Sequence, residues 1–547
     1  VGAFSDAGSI PATSTTLRAE DPAPQGGGSS ASGDSPGPGP TTEVFTPPEV
    51  DRLQERFSAK AVTKAANAGL HAAGGRPAPG RGPGRGRESI LVPRFVRTSS
   101  FPETPGDLFA WHARPGALTR LTPPWRSLRR LGPEVPLEEG RQVHLQLRMG
   151  PCRVPWTALH REVIPGESFV DEMLVGPFAR WVHRHGFRSA GEGAELSDDI
   201  DYELPGGALA GRLAEPWIAS MLERDFAWRH DLLRRDLERH RTFADRPRWR
   251  VAITGGTGMI GRQLGAFLAT GGHQVHLITR NPRPESTDIG WDPSGRRLDV
   301  TALEGLDAVV HLAGEPIAGR WTTAHKNRIL RSRVEGTLLL SQALASLKRP
   351  PRVLVSSSAI GYYGGRGDEP LPETRPSGTG FLAEVCRGWE AATAPAQEAG
   401  IRVVHIRTGL VLTPAGGALA SMLLSFRLGL GGPVGSGRQF WSWISADDLL
   451  GVFHHALGVE GLRGPVNAVA GACPNRDFVR TLGRVLGRPA VLHMPAVVVR
   501  TVLGEMGEEL LLAGARVVPE QLRESSFRFQ HTDLESALRH VLGRARS

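Results

Sequence analysis

The residues with the clearest chemical potential are the glycines of Arg250–Gly261 (RVAITGGTGMIG). A short β-branched run, Val251 and Ile253, breaks into a turn at Gly255, Gly256 and Gly258, and the chain then enters a helical pattern through Gly261. In such a loop the first glycine permits a tight turn. The second lets backbone approach a pyrophosphate, and the third lets the helix pack close to its strand. The helix start adds free N–H groups and a positive dipole end, which suit phosphate. The context is right: a strand before, a helix Arg262–Thr270 after, a Gly271-Gly272 stop, then a second strand His273–Thr279. Thr254, Gly255, Gly256, Thr257, Gly258, Met259, Ile260 and Gly261 are therefore expected to cradle a dinucleotide.

The second strand ends in Thr279-Arg280-Asn281-Pro282-Arg283, without the carboxylate that usually meets the ribose hydroxyls of NAD. Arg280 can instead pair with a 2′-phosphate, so NADP(H) is expected in preference to NAD(H). A surface arginine in an arginine-rich chain is the other reading. Beyond a third strand, Ala308–Leu312, the small residues of Leu312-Ala313-Gly314-Glu315 would let backbone approach the cofactor's adenosine side. Ser356-Ser357-Ser358 ends a fourth strand, near where a nicotinamide would lie.

These residues need a frame. From Arg250 onward, strands at Arg250–Thr254, His273–Thr279, Ala308–Leu312, Arg352–Ser356 and Arg402–Arg407 alternate with helices, including Lys326–Leu347 and Phe381–Ala399. That pattern predicts an α/β, doubly wound parallel sheet over 250–489, a Rossmann domain, with a small helical lobe at 490–547. Residues 89–243 read as an α+β helix-grip domain. Strands are expected at Ser89–Arg97, Gln142–Met149, Trp156–Ile164, Phe169–Val175, Phe187–Ala194 and Asp198–Leu204. A long helix, Gly211–Leu237, closes it, with Pro216 placing its start nearer Ala214. Residues 1–88 are rich in Gly, Pro and Ser and are expected to be disordered, with a short helix conceivable around Pro48–Leu70. Because the chain opens on Val1, this segment reads as a fragment or an over-extended gene start.

The 547 residues carry a net charge of +9 and a pI near 10.2. Only four of the 65 basic residues are lysines, and the 61 arginines are scattered, which reads as the codon bias of a GC-rich genome. No specific nucleic-acid partner is expected. Arg76–Arg87 is the one concentrated basic stretch and reads as a solvated linker. Cys152, Cys386 and Cys473 lack ligand spacing, so no metal is expected, and a reducing, cytoplasmic setting is. No apolar run is long enough for a membrane span, and the N-terminus lacks a signal-peptide layout.

Several motifs carry a family resemblance. TGGTGMIG (254–261), DAVVHLAG (307–314), SSSAIGYYG (356–364) and WISADDL (443–449) resemble the extended and atypical short-chain dehydrogenase/reductase superfamily. HLAGEPIAGRW (311–321), SRVEGT (332–337), GFLAEVCRGWE (380–390), RTGLVL (407–412), FRLGLGGPVGSGRQFWSWI (426–444) and GEMGEELLLAGARVVP (504–519) narrow the resemblance to its epimerase-like group. Upstream, FPETPGDLFAWHARPGALTRLTPPW (101–125), FVDEMLVGPFARWVHRH (169–185) and DIDYELP (199–205) resemble the START-like, SRPBCC ligand-binding superfamily. Together they imply a bacterial-type fusion, with an apolar ligand in a cavity between sheet and long helix. The other reading of those aromatic and leucine residues is that they simply fill a core.

The superfamily's hydride chemistry uses a tyrosine acid/base and a lysine four residues later. This chain has three tyrosines, Tyr202, Tyr362 and Tyr363, and none has that lysine. Phe381 and Val385 stand at the expected positions, where neither can move a proton nor hold ribose. Ser358 with Tyr362 or Tyr363 is the candidate catalytic set, and Glu315 or Glu384 would serve only in a cavity that raised its pKa. Lys326 and Arg333 could face phosphate, or lie on a surface helical face. Arg438 and Gln439, in a glycine loop before Trp441 and Trp443, are candidates for an anionic or nucleotide-like substrate, or a loop anchored by tryptophan. Asp447 and Asp448 read as helix caps. Two functions stand at this point. One is an NADP-binding epimerase-like oxidoreductase of unknown substrate; the other is a non-catalytic NADP(H) sensor or scaffold coupled to an apolar-ligand module.

Overall fold

Period-two burial builds the first layer of the protein. The structure, a computed structural model, describes residues 93–544 except 133 and 151. The disordered segment, the Pro48–Leu70 helix and the basic linker expected from sequence lie outside the described residues, as does the start of the Ser89–Arg97 strand. Seven antiparallel strands, β1 (Arg94–Phe101), β2 (Leu128–Leu131), β3 (Gln142–Met149), β4 (Cys152–Ile164), β5 (Ser168–Val175), β6 (Arg180–Ala190) and β7 (Gly193–Glu203), form one sheet. Their order is β1-β7-β6-β5-β4-β3-β2. The expected strand Phe187–Ala194 is corrected: a tight turn at Gly191, with φ of 60°, splits it between β6 and β7. Helices α1 (Pro105–Ala113) and α2 (Ala117–Leu121) follow β1, and α3 (Gly207–Arg241) closes the layer. The last is longer than expected and carries Pro216 inside it rather than at its start. Tertiary packing of Ile218, Leu222, Phe226 and Leu233 holds the helix despite the missing N–H.

The second sheet has eight strands in the order β11-β10-β9-β8-β12-β13-β14-β15. These are β8 (Arg250–Thr254), β9 (Gln274–Thr279), β10 (Ile289–Asp292), β11 (Arg297–Leu298), β12 (Ala308–His311), β13 (Val353–Ala359), β14 (Arg402–Thr408) and β15 (Gly464–Ala468). All neighbours are parallel except the β10–β11 hairpin. The chain runs outward from β8 in one direction and returns through β12 in the other, so the topological switch point lies between these two strands. Helices α4 (Met259–Thr270), α5 (Thr323–Ala345), α6 (Phe381–Ala391), α7 (Gly417–Arg427), α8 (Ala446–Gly458), α9 (Asn475–Leu486), α10 (Ala496–Gly507) and α11 (Leu534–Val541) cover the sheet and form the C-terminal lobe. The helix expected over Phe381–Ala399 breaks after Ala391 and resumes at Ala394–Glu398. Val251, Ile253, Val310, Val355, Val404 and Ile406 are buried on one sheet face against Phe267, Leu450 and Phe453.

The two sheets belong to one compact unit, joined by buried ion pairs. Arg120 of α2 holds Asp236 of α3 with two 2.8 Å hydrogen bonds and reaches Asp447 of α8 at 3.0 Å. Arg239 of α3 pairs with Asp448 at 2.8 Å. Asp447 and Asp448 do sit in the first turn of α8, whose cap is Ser445, and they also clamp the two halves together. His240 at the end of α3 stacks on Phe267 of α4, centroids 4.4 Å apart.

Candidate cofactor and active site

The glycine loop has the backbone its sequence requires. Gly255 has φ of 66°, and a Cβ there would meet the Leu312 carbonyl and the Ala313 nitrogen at 2.9 Å. A Cβ on Gly261 would collide with the Gly255 carbonyl, so this glycine lets α4 start directly against the loop. Gly258 is the N-cap of α4, and no side chain caps that end, which leaves its N–H groups to a ligand. Thr257 and Gly258 are exposed at the mouth. Thr254 is fully buried, and its hydroxyl accepts from the N–H groups of Leu312 and Ala313 at 3.0 and 3.2 Å. It therefore ties the loop after β8 to the loop after β12 across the switch point. Thr254 is 2.8 Å from His311 Nδ1; burial, with Arg333 nearby, drives His311 down to about 4, so this ring is neutral.

Arg280 is exposed at the end of β9 and has no carboxylate partner among the described residues. The neighbouring Arg283 is different: it holds Asp288 through two side-chain bonds of 2.8 and 3.0 Å. Arg280 is thus the arginine available at this strand end. Arg333 is not on a surface face. It is buried beneath the 312–315 loop, donates to the Glu315 and Ile329 carbonyls at 3.0 and 3.2 Å, and lies over the Trp389 ring. Lys326 pairs with Glu505 at 2.7 Å and lies 4.5 Å from the Phe381 ring centroid.

The place where the superfamily carries its tyrosine and lysine is filled with hydrocarbon. Phe381 and Val385 pack with Ile329, Leu382, Ile317 and Trp321. The N–H groups of Phe381 and Leu382 donate to Glu509 at 2.8 Å each, so the C-terminal lobe caps α6. Glu384 is exposed, and Glu315 pairs with Arg328 at 3.3 Å; neither sits in a cavity.

Ser358, Tyr362 and Tyr363 are brought together, through residues not singled out from sequence. Arg407 of β14 holds Glu390 of α6 with two 2.8 Å bonds, and Ser358 donates to the same carboxylate at 2.7 Å. Arg407 also donates to the Tyr363 hydroxyl at 2.9 Å, and that hydroxyl donates to Asn467 Oδ1 at 2.8 Å. Tyr363 has no exposed surface, and burial raises its pKa despite Arg407. Tyr362 is half-buried, with its ring 3.5 Å below the Arg407 guanidinium carbon. Of the two tyrosines, only Tyr362 keeps exposed surface. Glu390 and Arg407 stand inside the motifs GFLAEVCRGWE and RTGLVL; the signal was an arginine near the end of an otherwise largely buried strand (RVVHIRT).

Gln439 is a staple, donating to the Val434 and Leu511 carbonyls at 2.9 and 3.0 Å. Arg438 beside it is exposed. Trp441 and Trp443 are buried with Phe478 and Leu482, which anchors the glycine loop into the core.

Comparison with known proteins finds relatives of the second sheet and its lobe. The NAD dependent epimerase/dehydratase family model matches residues 251–467, and a domain of unknown function matches 494–541. An epimerase family protein of Mycobacterium bovis is 42% identical over 297 residues, covering 54% of this chain and 98% of that relative. The human epimerase family protein SDR39U1 is 37% identical over 298 residues, again 54% of this chain and 99% of the relative. The crystal structure of a nucleoside-diphosphate sugar epimerase from Corynebacterium glutamicum is 33% identical, with a TM-score of 0.68 over 82% of this chain and 90% of that one. That share exceeds the second sheet and its lobe, so the likeness reaches into the antiparallel sheet.

Proposed function

Because the chain belongs to the epimerase family, we propose that it is an NADP(H)-binding oxidoreductase of the epimerase-like, atypical short-chain type. The glycine cradle at the switch point carries this reading: Gly255 and Gly261 leave no room for any side chain, and the α4 start is uncapped. Thr254–Gly261 would hold the pyrophosphate, Leu312–Glu315 the adenosine side, and Arg280 a 2′-phosphate. The coenzyme would supply the hydride. Ser358 would orient a substrate carbonyl from the end of β13, and Tyr362 would hold the proton. Arg407 keeps Tyr362 in place by lying over its ring and keeps Ser358 in place through Glu390. The exposed Arg438 and the likeness to a nucleoside-diphosphate sugar epimerase favour an anionic, nucleotide-like substrate.

One observation favours a second reading. Phe381 and Val385 close the usual acid/base position with hydrocarbon, as befits a domain that holds the coenzyme without turning it over and reports its presence to the START-like module at residues 89–243. Coenzyme oxidation or reduction with a panel of carbonyl compounds and nucleoside-diphosphate sugars separates the two. Turnover that disappears in Tyr362→Phe supports the enzyme; tight NADPH binding with no turnover across the panel supports the sensor.

A further inference from the structure

Strand register in the antiparallel sheet lines up a row of metal-ligating side chains. His160 of β4 pairs with Asp171 of β5, Asp171 pairs with His183 of β6, and His185 of β6 pairs with Asp198 of β7. His183 and His185 are two apart and share one face. Asp198 stands where alternation demands a core residue, between the buried Leu196 and Ile200. From the opposite side α3 lowers His230, whose Nε2 lies 2.6 Å from Asp198 Oδ2 and whose Nδ1 lies 2.8 Å from Ser99 Oγ. His183, His185, Asp198 and His230 are each at most 7% exposed.

Next to this row, between sheet and long helix, lies a space of about 10 Å³, bordered by His112, His185, Asp198, Arg229 and His230 and by the apolar Leu121, Leu196, Phe226 and Leu233. This is room for one water, not for an apolar ligand. One buried carboxylate, Asp198, faces it, and the half-buried Asp171 lies on the next strand but one; no Lys or Arg lies within salt-bridge distance of either among the described residues. The nearest guanidinium, Arg229, spends its Nε on the Leu121 carbonyl. A buried carboxylate needs hydrogen-bond donors, a cation or a metal, and among the described residues Asp198 meets histidine rings alone.

We propose that His183, His185 and Asp171 bind one divalent first-row transition-metal ion inside the N-terminal domain. Each offers a ligand atom, and the three atoms lie within 4.8 Å of one another. Imidazole nitrogen with carboxylate oxygen is a donor set for zinc and its neighbours, and three protein ligands leave one tetrahedral position open. The surroundings are those of ligands held from behind. Asp198 Oδ1 is 2.9 Å from His183 Nε2, and His160 Nδ1 is 2.7 Å from Asp171 Oδ1, so a ligand ring and the ligand carboxylate are each oriented by a second partner. His185 Nδ1 is buried and makes no hydrogen bond, although Asp198 Oδ1 is 2.7 Å away. The three cysteines take no part.

Elemental analysis of the purified full chain, followed by chelator dialysis and titration with Co²⁺, tests this. One equivalent of metal per chain is expected, with the intense visible absorption of histidine-coordinated Co²⁺, displaced by Zn²⁺. The His183→Ala/His185→Ala chain should lose that spectrum, and Asp198→Asn should weaken binding by about 10–100-fold. His112→Ala, which borders the cavity without ligating, should keep it. A Co²⁺ spectrum identical to that of the free ion in the wild-type chain overturns the proposal without recourse to any variant. So does one equivalent of metal that survives the double substitution.

Discussion

Arg407 and Glu390 face each other through two 2.8 Å hydrogen bonds, with Arg407 only 3% exposed. This pair joins a sheet strand, β14, to helix α6, and it fixes Ser358 and both tyrosines at once. Glu390→Ala would leave a buried guanidinium without its partner. A loss of about 3–5 kcal/mol in urea denaturation is expected, against about 1 kcal/mol for Ser358→Ala, which removes a single hydrogen bond. Equal losses would mean that Glu390 is not the hub.

The proposed preference for NADP(H) rests on one side chain. Arg280→Ala should weaken NADPH binding by about 10–100-fold, the worth of hydrogen bonds to a charged phosphate, and leave NADH binding unchanged. Arg283→Ala should do neither, because Arg283 is committed to Asp288. Isothermal titration of both coenzymes against both variants decides this.

The junction of the two sheets is an ion cluster as well as a packed surface. Arg120→Ala strands Asp236 and Asp447, both held by that guanidinium, and should cost about 3–5 kcal/mol. Limited proteolysis should then cut within 242–249, between α3 and β8, where the wild-type chain resists.

Acid should weaken the fold, at that junction and beside the glycine loop. Burial drives His273 and His311 down to about 4, and holds His240 and His454 well below the ordinary 6.5. These rings are neutral in the fold and take up protons on unfolding between about pH 4 and 6.5, so the unfolded state binds more protons there. Stability thus rises with pH through that window and levels above it. The melting temperature should therefore fall from about pH 7 to about pH 5. His454→Phe, in a cage of Phe243, Trp249 and Phe267, should shrink that fall. A melting temperature indifferent to pH across the window would contradict the assignment.

Much of this was written in local pattern. The loop from Thr254 to Gly261 announces itself because steric demands on glycine are local, and every strand expected after Arg250 formed within a residue or three of its place. The Arg407–Glu390–Ser358 network was not foreseen, because its members come from three separate elements and meet only when β13, β14 and α6 pack. The His/Asp row escaped for a related reason. Its residues are spaced by strand register rather than by sequence, and only Asp198, alternating with Leu196 and Ile200, hinted at a polar group turned inward. Gln439 looked like a substrate residue because its carbonyl partners, Val434 and Leu511, include one from the distant C-terminal lobe.

The measurement that bears most directly on the account is isothermal titration of NADPH into the full-length chain and into Gly261→Ala. The wild-type chain should bind one equivalent. The variant, whose added methyl group falls on the Gly255 carbonyl, should keep its circular dichroism spectrum and bind at least about tenfold more weakly. No saturable heat with the wild-type chain, or equal affinity in the two, would contradict the dinucleotide cradle.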